Sequence, residues 1–322
     1  TGYGPTGEAL VESVDKLIFV GSSKVGRLVM AHASKTLTPV TLELGGKDPL
    51  VVLPGADLGV VIPIVMRAGL GAAGQNCMGA ERFFVHSTLL DDFCHRVTLT
   101  AKQMRQGPPL GGDIDIGAMC MPGEVQRIHA IVTDAISRGA KLLLGGVLSP
   151  DAAKTSATTR GGQFYPPTLI LIPEGMQAEV GSMRLFKEEV FGPVITIIPF
   201  SDDDQLVRMC NDCPFALGSN IFGAPQRIHA LGRRIQAGML AANDFATCYM
   251  CQSLPMGGLK ESGFGKFAGV EGLRALCLTK AVVEDRLPLI KTVVPVPLCY
   301  PLPPAAFPFI AGLMGFFYGH SL

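Results

Sequence analysis

Short apolar runs rich in β-branched and aromatic residues alternate along the chain with segments whose apolar residues recur at helical spacing. Because strands and helices repeat with different periods, this alternation predicts an α/β fold. The predicted strands are residues 17–20, 40–44, 49–53, 82–86, 141–144, 194–200 and 217–222. The predicted helices include residues 24–34, 124–138 and 226–237.

The pattern changes near the C-terminus. Residues 281–283 predict a last strand, and the Pro-rich segment 295–308 predicts polyproline conformation without helix. The weakly polar stretch from Ala305 to Gly319 is shorter than the roughly 20 residues of a membrane-spanning helix. We expect this tail to pack in a groove of the protein body, with contact to a membrane surface as the alternative.

Composition limits the classes of function. The chain has 322 residues, of which 48% are hydrophobic and 17% charged, and its net charge is zero, so neither nucleic acid nor a strongly charged partner is expected. The nine cysteines lack the spacing of a disulfide framework, and a reducing compartment, the cytoplasm by default, is expected. Thr1 stands where an initiator Met is usual and no signal-peptide pattern follows, so we expect a truncated or processed N-terminus.

Two glycine-rich segments resemble phosphate-binding loops. Residues 2–7 (GYGPTG) match G-x-G-x-x-G, but no strand precedes them, and a Gly/Pro turn is the favoured interpretation. Residues 21–26 (GSSKVG) follow a predicted strand and open a predicted helix, where free N–H groups attract anions. For this second segment, a phosphate site and a plain strand–helix turn remain equally open.

Two cysteine pairs, Cys210 with Cys213 and Cys248 with Cys251, imitate a four-thiolate zinc site. The gap between the pairs is wider than in a zinc ribbon, and no histidine lies near the second pair. Free thiols that pack as small apolar side chains are the favoured interpretation. No metal site is expected, and a zinc-binding structural module is a distant alternative.

Two further segments carry candidate catalytic groups. Cys77 lies among small and flexible residues in segment 74–79 (GQNCMG), which leaves room for a substrate and for backbone N–H donors. Glu43 ends an apolar strand before two glycines, where burial would raise its pKa towards that of a general base. Each residue alone also fits a structural role, as a buried thiol or a salt-bridged carboxylate.

Two segments together resemble the paired active-site signatures of the aldehyde dehydrogenase superfamily: residues 42–47 (LELGGK) and residues 74–77. Glu43 in the first segment precedes Cys77 in the second by 34 residues. Residues 19–26, 189–193 (EVFGP) and 255–263 (PMGGLKESG) resemble three further motifs of that family, in the same order. The finer details look most like its plant-type family 22 branch, and they lie in residues 75–83, 243–245, 250–255 and 282–286.

The resemblance implies an aldehyde dehydrogenase-like fold. Residues 1–45 would form the C-terminal part of a Rossmann-like cofactor domain, and residues 46–258 an α/β catalytic domain. Residues 259–286 would be a return segment with an oligomerisation strand, and residues 287–322 a Pro-rich apolar tail. The resemblance also implies a homo-oligomer at full length, and it places an oxyanion-binding Asn and a ribose-binding Lys before Thr1.

The resemblance further implies that Cys77 attacks an aldehyde and that water activated by Glu43 hydrolyses the resulting thioester to an acid, with NAD or NADP as cofactor. The backbone N–H of Cys77 would stabilise the oxyanion. The pyrophosphate would contact Gly21 and Ser22. Glu189 would bind the nicotinamide ribose, and Phe191 would pack near the nicotinamide ring. Gly4 and Pro5 would lie in the loop that lines the adenine side. The implied cofactor residues are Gly4, Pro5, Gly21, Ser22, Leu44, Glu189 and Phe191.

Two alternatives remain beside this hypothesis. A CoA-acylating dehydrogenase would pass the acyl group to CoA, but the presence of Glu43 favours hydrolysis. A catalytically inactive fragment could keep the fold for binding or assembly. The partner expected for the enzyme is a small-molecule aldehyde, and the apolar loop 244–254 at its entrance favours medium or long aliphatic, or aromatic, aldehydes.

Overall fold

The computed structural model describes residues 1–110, 112–148, 163–176, 180–287, 289 and 291–319. The chain divides into two compact units, Thr1–Cys277 and Leu278–Leu322. The first unit contains all the strands described below. The second unit begins earlier than the predicted tail at residue 287, and the boundaries predicted at 45/46 and 258/259 stay predictions.

A small sheet of three strands has the order β1-β2-β12, with β1 (Leu17–Val20) parallel to β2 (Val40–Glu43) and β12 (Gly263–Phe264) antiparallel to β2. Helices α1 (Gly4–Glu12) and α2 (Ser23–Thr36) accompany it. The Ser22 hydroxyl caps α2 by accepting a hydrogen bond from the Val25 N–H at 3.3 Å. The turn between β1 and α2 is therefore fixed by its own side chain.

A larger sheet has seven strands in the order β10-β9-β3-β4-β7-β6-β5, and only the β5–β6 pair is antiparallel. Its strands are β3 (Asp48–Val52), β4 (Ala80–His86), β5 (Lys141–Leu144), β6 (Thr168–Leu171), β7 (Val194–Phe200), β9 (Asn220–Phe222) and β10 (Ala241–Ala242). All of β3 and β7 is buried, as expected for strands of a parallel sheet that is covered on both faces.

Helices connect and accompany these strands in the first unit. They are α3 (Leu58–Leu70), α4 (Leu90–Lys102), α5 (Glu124–Ser137), α6 (Arg184–Lys187), α7 (Asp203–Asn211), α8 (Pro225–Gly232), α9 (Thr247–Met250) and α10 (Gly269–Ala275). A two-stranded pair, β8 (Phe215–Ala216) with β11 (Leu259–Lys260), completes the unit. The predicted α/β fold class is confirmed.

The strand predicted at residues 217–222 begins only at Asn220, as β9. The preceding strand β8 ends at Ala216, so residues 217–219, which include Gly218, interrupt the extended path. A Cβ added to Gly218 would lie 2.4 Å from a carboxyl oxygen of Asp48, so the backbone approaches that side chain closely and leaves the strand path. The helix predicted at 226–237 ends at Gly232, and the Gln236 N–H donates to Asn211 Oδ1 at 2.8 Å instead of continuing the helix.

In the second unit, residues 281–283 form no strand, because none of the described segments pairs with their backbone. The prediction of a helix-free segment 295–308 was wrong at both ends. A 3₁₀ turn covers Val296–Leu298, and α11 (Ala306–Tyr318) begins before Pro308, which sits in its first turn, where a missing N–H leaves no bond unmade. Within the described residues, every helix is too short or too polar to cross a membrane.

Candidate active site

A cleft of about 710 Å³ brings the predicted catalytic residues together with most of the predicted cofactor residues. Cys77 and Glu43 both line it. Its other lining residues are Val20, Gly21, Ser22, Leu44, Gly45, Gln75, Asn76, Met121, Pro122, Glu124, Arg127, Glu189 and Phe191. Segments far apart in sequence therefore form one site.

Gly4 and Pro5 are the predicted cofactor residues that do not line this cleft. Both lie exposed in the first turn of α1 and so belong to a helix start, not to a loop. Proline is well suited to that position, because the first helical N–H has no partner within the helix. Their assignment to an adenine side stays a prediction.

A glycine lets Glu43 lie next to Cys77. Glu43 is the last residue of β2 and is almost fully buried, and Gly45 and Gly46 follow it. A Cβ on Gly46 would lie only 2.1 Å from the carbonyl oxygen of Cys77. Since any larger residue would clash there, glycine at position 46 is what lets the Cys77 loop cross the end of β2.

The Glu43 carboxyl and the Cys77 thiol are neighbours in the cleft, close enough for each to shift the pKa of the other. Burial raises the pKa of Glu43. Burial, followed by the neighbouring Glu43 charge, raises the pKa of the Cys77 thiol well above its usual range. Glu43 Oε1 has no hydrogen-bond partner among the described residues, so this buried oxygen is free to bind a water.

The loop that carries Cys77 is held by unusual backbone geometry. Ala72, Ala73 and Gly74 are left-handed, with φ of 54°, 57° and 71°. A Cβ on Gly74 would lie 2.0 Å from the carbonyl oxygen of Gly192. The Gln75 amide then joins this loop to a neighbouring one, since its Oε1 accepts a 2.8 Å hydrogen bond from the Cys120 N–H. These contacts fix the position of Cys77.

Glu189 lies in the same cleft and contacts the turn that follows Glu43. Its Oε1 accepts a 2.8 Å hydrogen bond from the Gly46 N–H. Burial, followed by the charge of Glu81, raises the pKa of Glu189 to about 7. A carboxyl group at this place is suited to accept hydrogen bonds from sugar hydroxyls.

A buried ion pair between Lys47 and Glu81 supports the site from behind and was not predicted. The Glu81 carboxylate also accepts hydrogen bonds from the N–H groups of Val190 and Phe191, both at 2.8 Å. Phe191 has a φ of 46°, so these bonds hold a left-handed residue at the wall of the cleft. Both charged residues stand inside the quoted motifs, and that position is the signal that could have identified them.

Arg127, on α5, is a third residue of the site that the sequence did not predict. Its guanidinium pairs with Glu124 one turn earlier at 2.6 Å. It also donates to the carbonyl oxygens of Glu189 at 3.1 Å and Val190 at 2.5 Å. The i,i+3 spacing of Glu124 and Arg127 predicts the local pair, but no local pattern predicts the contact to residues 189–190.

The cysteine pairs take no part in this cleft. Cys210 and Cys213 are buried, and Cys248 and Cys251 are half-buried, all as free thiols. Across the described part of the chain, no group of three or more His, Cys, Asp or Glu residues could hold a metal ion.

The comparisons with known proteins agree with the architecture. The aldehyde dehydrogenase family profile matches residues 1–282. An aldehyde dehydrogenase-like protein of Saccharomyces cerevisiae is 38% identical over 293 residues, covering 89% of this chain and 44% of the relative. Chloroplastic betaine aldehyde dehydrogenase of Beta vulgaris is 32% identical over 290 residues, covering 88% of this chain and 55% of the relative.

Solved structures of aldehyde dehydrogenases also match this chain. A betaine aldehyde dehydrogenase variant of Staphylococcus aureus, crystallised with NAD⁺, superposes with a TM-score of 0.75 at 27% identity. That match covers 85% of this chain and 54% of the neighbour. The chain thus spans about half the length of the relatives it matches. The placement in the family 22 branch stays a prediction, while the family itself is established: this chain belongs to the aldehyde dehydrogenase family.

Proposed function

We propose that this chain carries the catalytic part of an oxidoreductase that oxidises an aldehyde to a carboxylic acid with NAD or NADP. The observation that carries the proposal is the adjacency of the Cys77 thiol and the Glu43 carboxyl in one open cleft. A thiol nucleophile beside a carboxylate base is the pair that acyl transfer to water needs. Membership of the family supports the same chemistry.

The residues of the cleft fit a nicotinamide dinucleotide. The start of α2 at Ser22 offers N–H groups and a positive dipole end to a pyrophosphate. Glu189 offers its carboxyl group to ribose hydroxyls, and Phe191 an apolar ring to the nicotinamide. When bound, the nicotinamide would supply the hydride acceptor that converts the Cys77 adduct of the aldehyde into a thioester.

Acylation begins with the thiol. Because the pKa of the Cys77 thiol is raised, the resting thiol keeps its proton at neutral pH and a base must receive it. Glu43 is the carboxylate in position to do so. The thiolate sulfur then bonds to the carbonyl carbon, the carbonyl π electrons move to oxygen, and the Cys77 N–H donates to that oxyanion.

Hydrolysis of the thioester follows at the same carboxylate. Glu43, deprotonated again, accepts a proton from a water at its unpartnered Oε1, and the water oxygen bonds to the acyl carbon. The carbon–sulfur bond breaks, the acid leaves, and Cys77 regains a proton. A buried carboxyl with a raised pKa is suited to this exchange near neutral pH.

The test measures NAD(P)H and acid formed from an aldehyde by the wild-type chain, Cys77→Ser and Glu43→Gln. Cys77→Ser should form neither product. Glu43→Gln should lose at least about 100-fold in steady-state rate. At alkaline pH, where the thiol ionises without a base, it should accumulate one acyl group on Cys77, visible by intact mass.

Three outcomes would count against the proposal. Equal acid formation by wild type and Glu43→Gln would remove Glu43 from the mechanism. If the chain binds NAD(P) but reacts with none of the aldehydes tested, the hypothesis of a catalytically inactive fragment that keeps the fold for binding or assembly would replace the proposal. Acyl transfer only in the presence of CoA would favour the CoA-acylating alternative.

A further inference from the structure

The C-terminal unit carries a helix that lacks any polar side. We propose that α11 (Ala306–Tyr318) is a lipid-binding segment that inserts into one leaflet of a bilayer. The inference is independent of the active site, which lies wholly in residues 1–277.

Exposure is the first observation. Ala306 is the only buried residue of this helix. All its large apolar side chains except the half-buried Phe309 are exposed, with relative exposures of 76% for Phe307, 82% for Phe316 and 68% for Phe317. Ile310, Leu313, Met314 and Tyr318 are exposed as well. An uninterrupted apolar surface of this kind marks a binding surface for an apolar partner.

The choice of lipid over a protein groove rests on the rest of the helix. A helix that docks in a groove has one apolar face and turns a polar face to water. Here the side opposite the large residues is formed by Pro308, Ala311, Gly312 and Gly315, none of which is polar. A helix that is apolar all round has no side suited to water, and hydrocarbon can surround it completely.

Charge and length define how the helix would sit. No Asp, Glu, Lys or Arg occurs from Thr292 to Leu322. Thirteen residues give a helix of about 20 Å, shorter than the roughly 30 Å hydrocarbon core, so insertion into one leaflet follows and crossing does not. The aromatic residues Phe316, Phe317 and Tyr318 form its C-terminal end, and the aromatic ring of Tyr318 suits the boundary between lipid and water.

The residues before the uncharged stretch are nearly balanced in charge. This segment contains three basic residues, Lys280, Arg286 and Lys291, and two acidic residues, Glu284 and Asp285. Because its net charge is small, attraction to anionic lipid contributes little to binding. Binding should therefore come from apolar burial, and it should neither require anionic lipid nor weaken with salt.

The test is flotation of the full chain with phosphatidylcholine vesicles at low and high salt. Wild type should float at both salt concentrations. Leu313→Lys combined with Phe316→Lys should lower the bound fraction by about tenfold or more, because a charged side chain resists transfer into hydrocarbon. The matched control is Leu110→Lys, a fully exposed apolar position in the first unit, which should float like wild type.

Three results would overturn the proposal. In the first, wild type remains at the bottom of the gradient. In the second, the variant with both Lys substitutions floats as well as wild type. In the third, wild type forms dimers in vesicle-free buffer, and the same Lys substitutions convert these dimers to monomers. The last would identify a second copy of the chain as the partner of α11. Unchanged circular dichroism and thermal unfolding of the first unit show that the variants are folded.

Discussion

The Glu43 carboxyl lies beside the Cys77 thiol although 34 residues separate them in the chain. Glu43 is fixed by β2 of the small sheet, whereas Cys77 stands on a loop that leads into β4 of the larger one. The Ser262 hydroxyl ties the turn after Glu43 to β8, since it donates to the Gly45 carbonyl at 2.7 Å and accepts from the Ala216 N–H at 3.0 Å. The relationship makes the two pKa values interdependent.

Glu43→Gln should therefore make Cys77 easier to ionise. The charge of Glu43 raises the pKa of the Cys77 thiol, so its removal should move the pH profile of Cys77 alkylation to lower pH by on the order of one unit. The rate of alkylation, followed by peptide mass spectrometry between pH 6 and 10, measures this. Glu8→Gln, at an exposed residue of α1, should leave the profile unchanged, and an identical profile for both variants would contradict the geometry.

Glu189 should make stability depend on pH. Its pKa is raised from 4.5 to about 7 in the folded chain, mainly by burial, so the folded state holds a proton that the unfolded state releases. Its contribution to stability is present below about pH 4.5 and is lost as the pH rises through 7. Glu189→Gln should thus gain in Tm relative to wild type between pH 4.5 and 8, and a difference that stays constant with pH would refute this assignment.

The buried pair of Lys47 and Glu81 should be costly to break. Lys47→Met leaves the Glu81 carboxylate buried without its cation and should lower the free energy of unfolding by about 3–5 kcal/mol. Arg96→Met removes an exposed i,i+4 partner of Asp92 and should leave the free energy of unfolding nearly unchanged. Urea unfolding followed by circular dichroism compares the two, and equal losses would show that the buried pair has no special weight.

Gly74 should tolerate no side chain, for two separable reasons. Its φ of 71° costs an L-residue about 1–2 kcal/mol, and a Cβ would meet the Gly192 carbonyl oxygen at 2.0 Å. Gly55 has a φ of 82° but nothing within 4 Å of an added Cβ, so Gly55→Ala carries the backbone cost alone. Gly74→Ala should lower Tm clearly more than Gly55→Ala and slow aldehyde turnover, and similar Tm losses would mean that the close approach to Gly192 is relaxed without cost.

Sequence patterns predicted most strands of the larger sheet, because runs of apolar residues along the chain indicate which segments become buried. They also predicted that Cys77, Glu43 and Glu189 belong to one site, since these residues stand in recognisable motifs, and all three line the same cleft. They could not predict that Arg127 bonds to the carbonyls of Glu189 and Val190, because that contact depends on how α5 packs and not on its own sequence. For the same reason the Gly218 interruption was missed, since it follows from the buried Asp48 side chain of a distant strand.

The nucleophilic role of Cys77 is the central claim, and competed thiol labelling tests it most directly. The chain is treated with iodoacetamide with and without an aldehyde, and each cysteine is quantified by peptide mass spectrometry. Aldehyde should slow labelling of Cys77 alone, because a thiohemiacetal occupies its sulfur, while the exposed Cys120, Cys277 and Cys299 label at unchanged rates. Two results would contradict the account. In one, aldehyde leaves the labelling rate of Cys77 unchanged; in the other, aldehyde slows labelling of Cys77 and of the three exposed cysteines by the same factor.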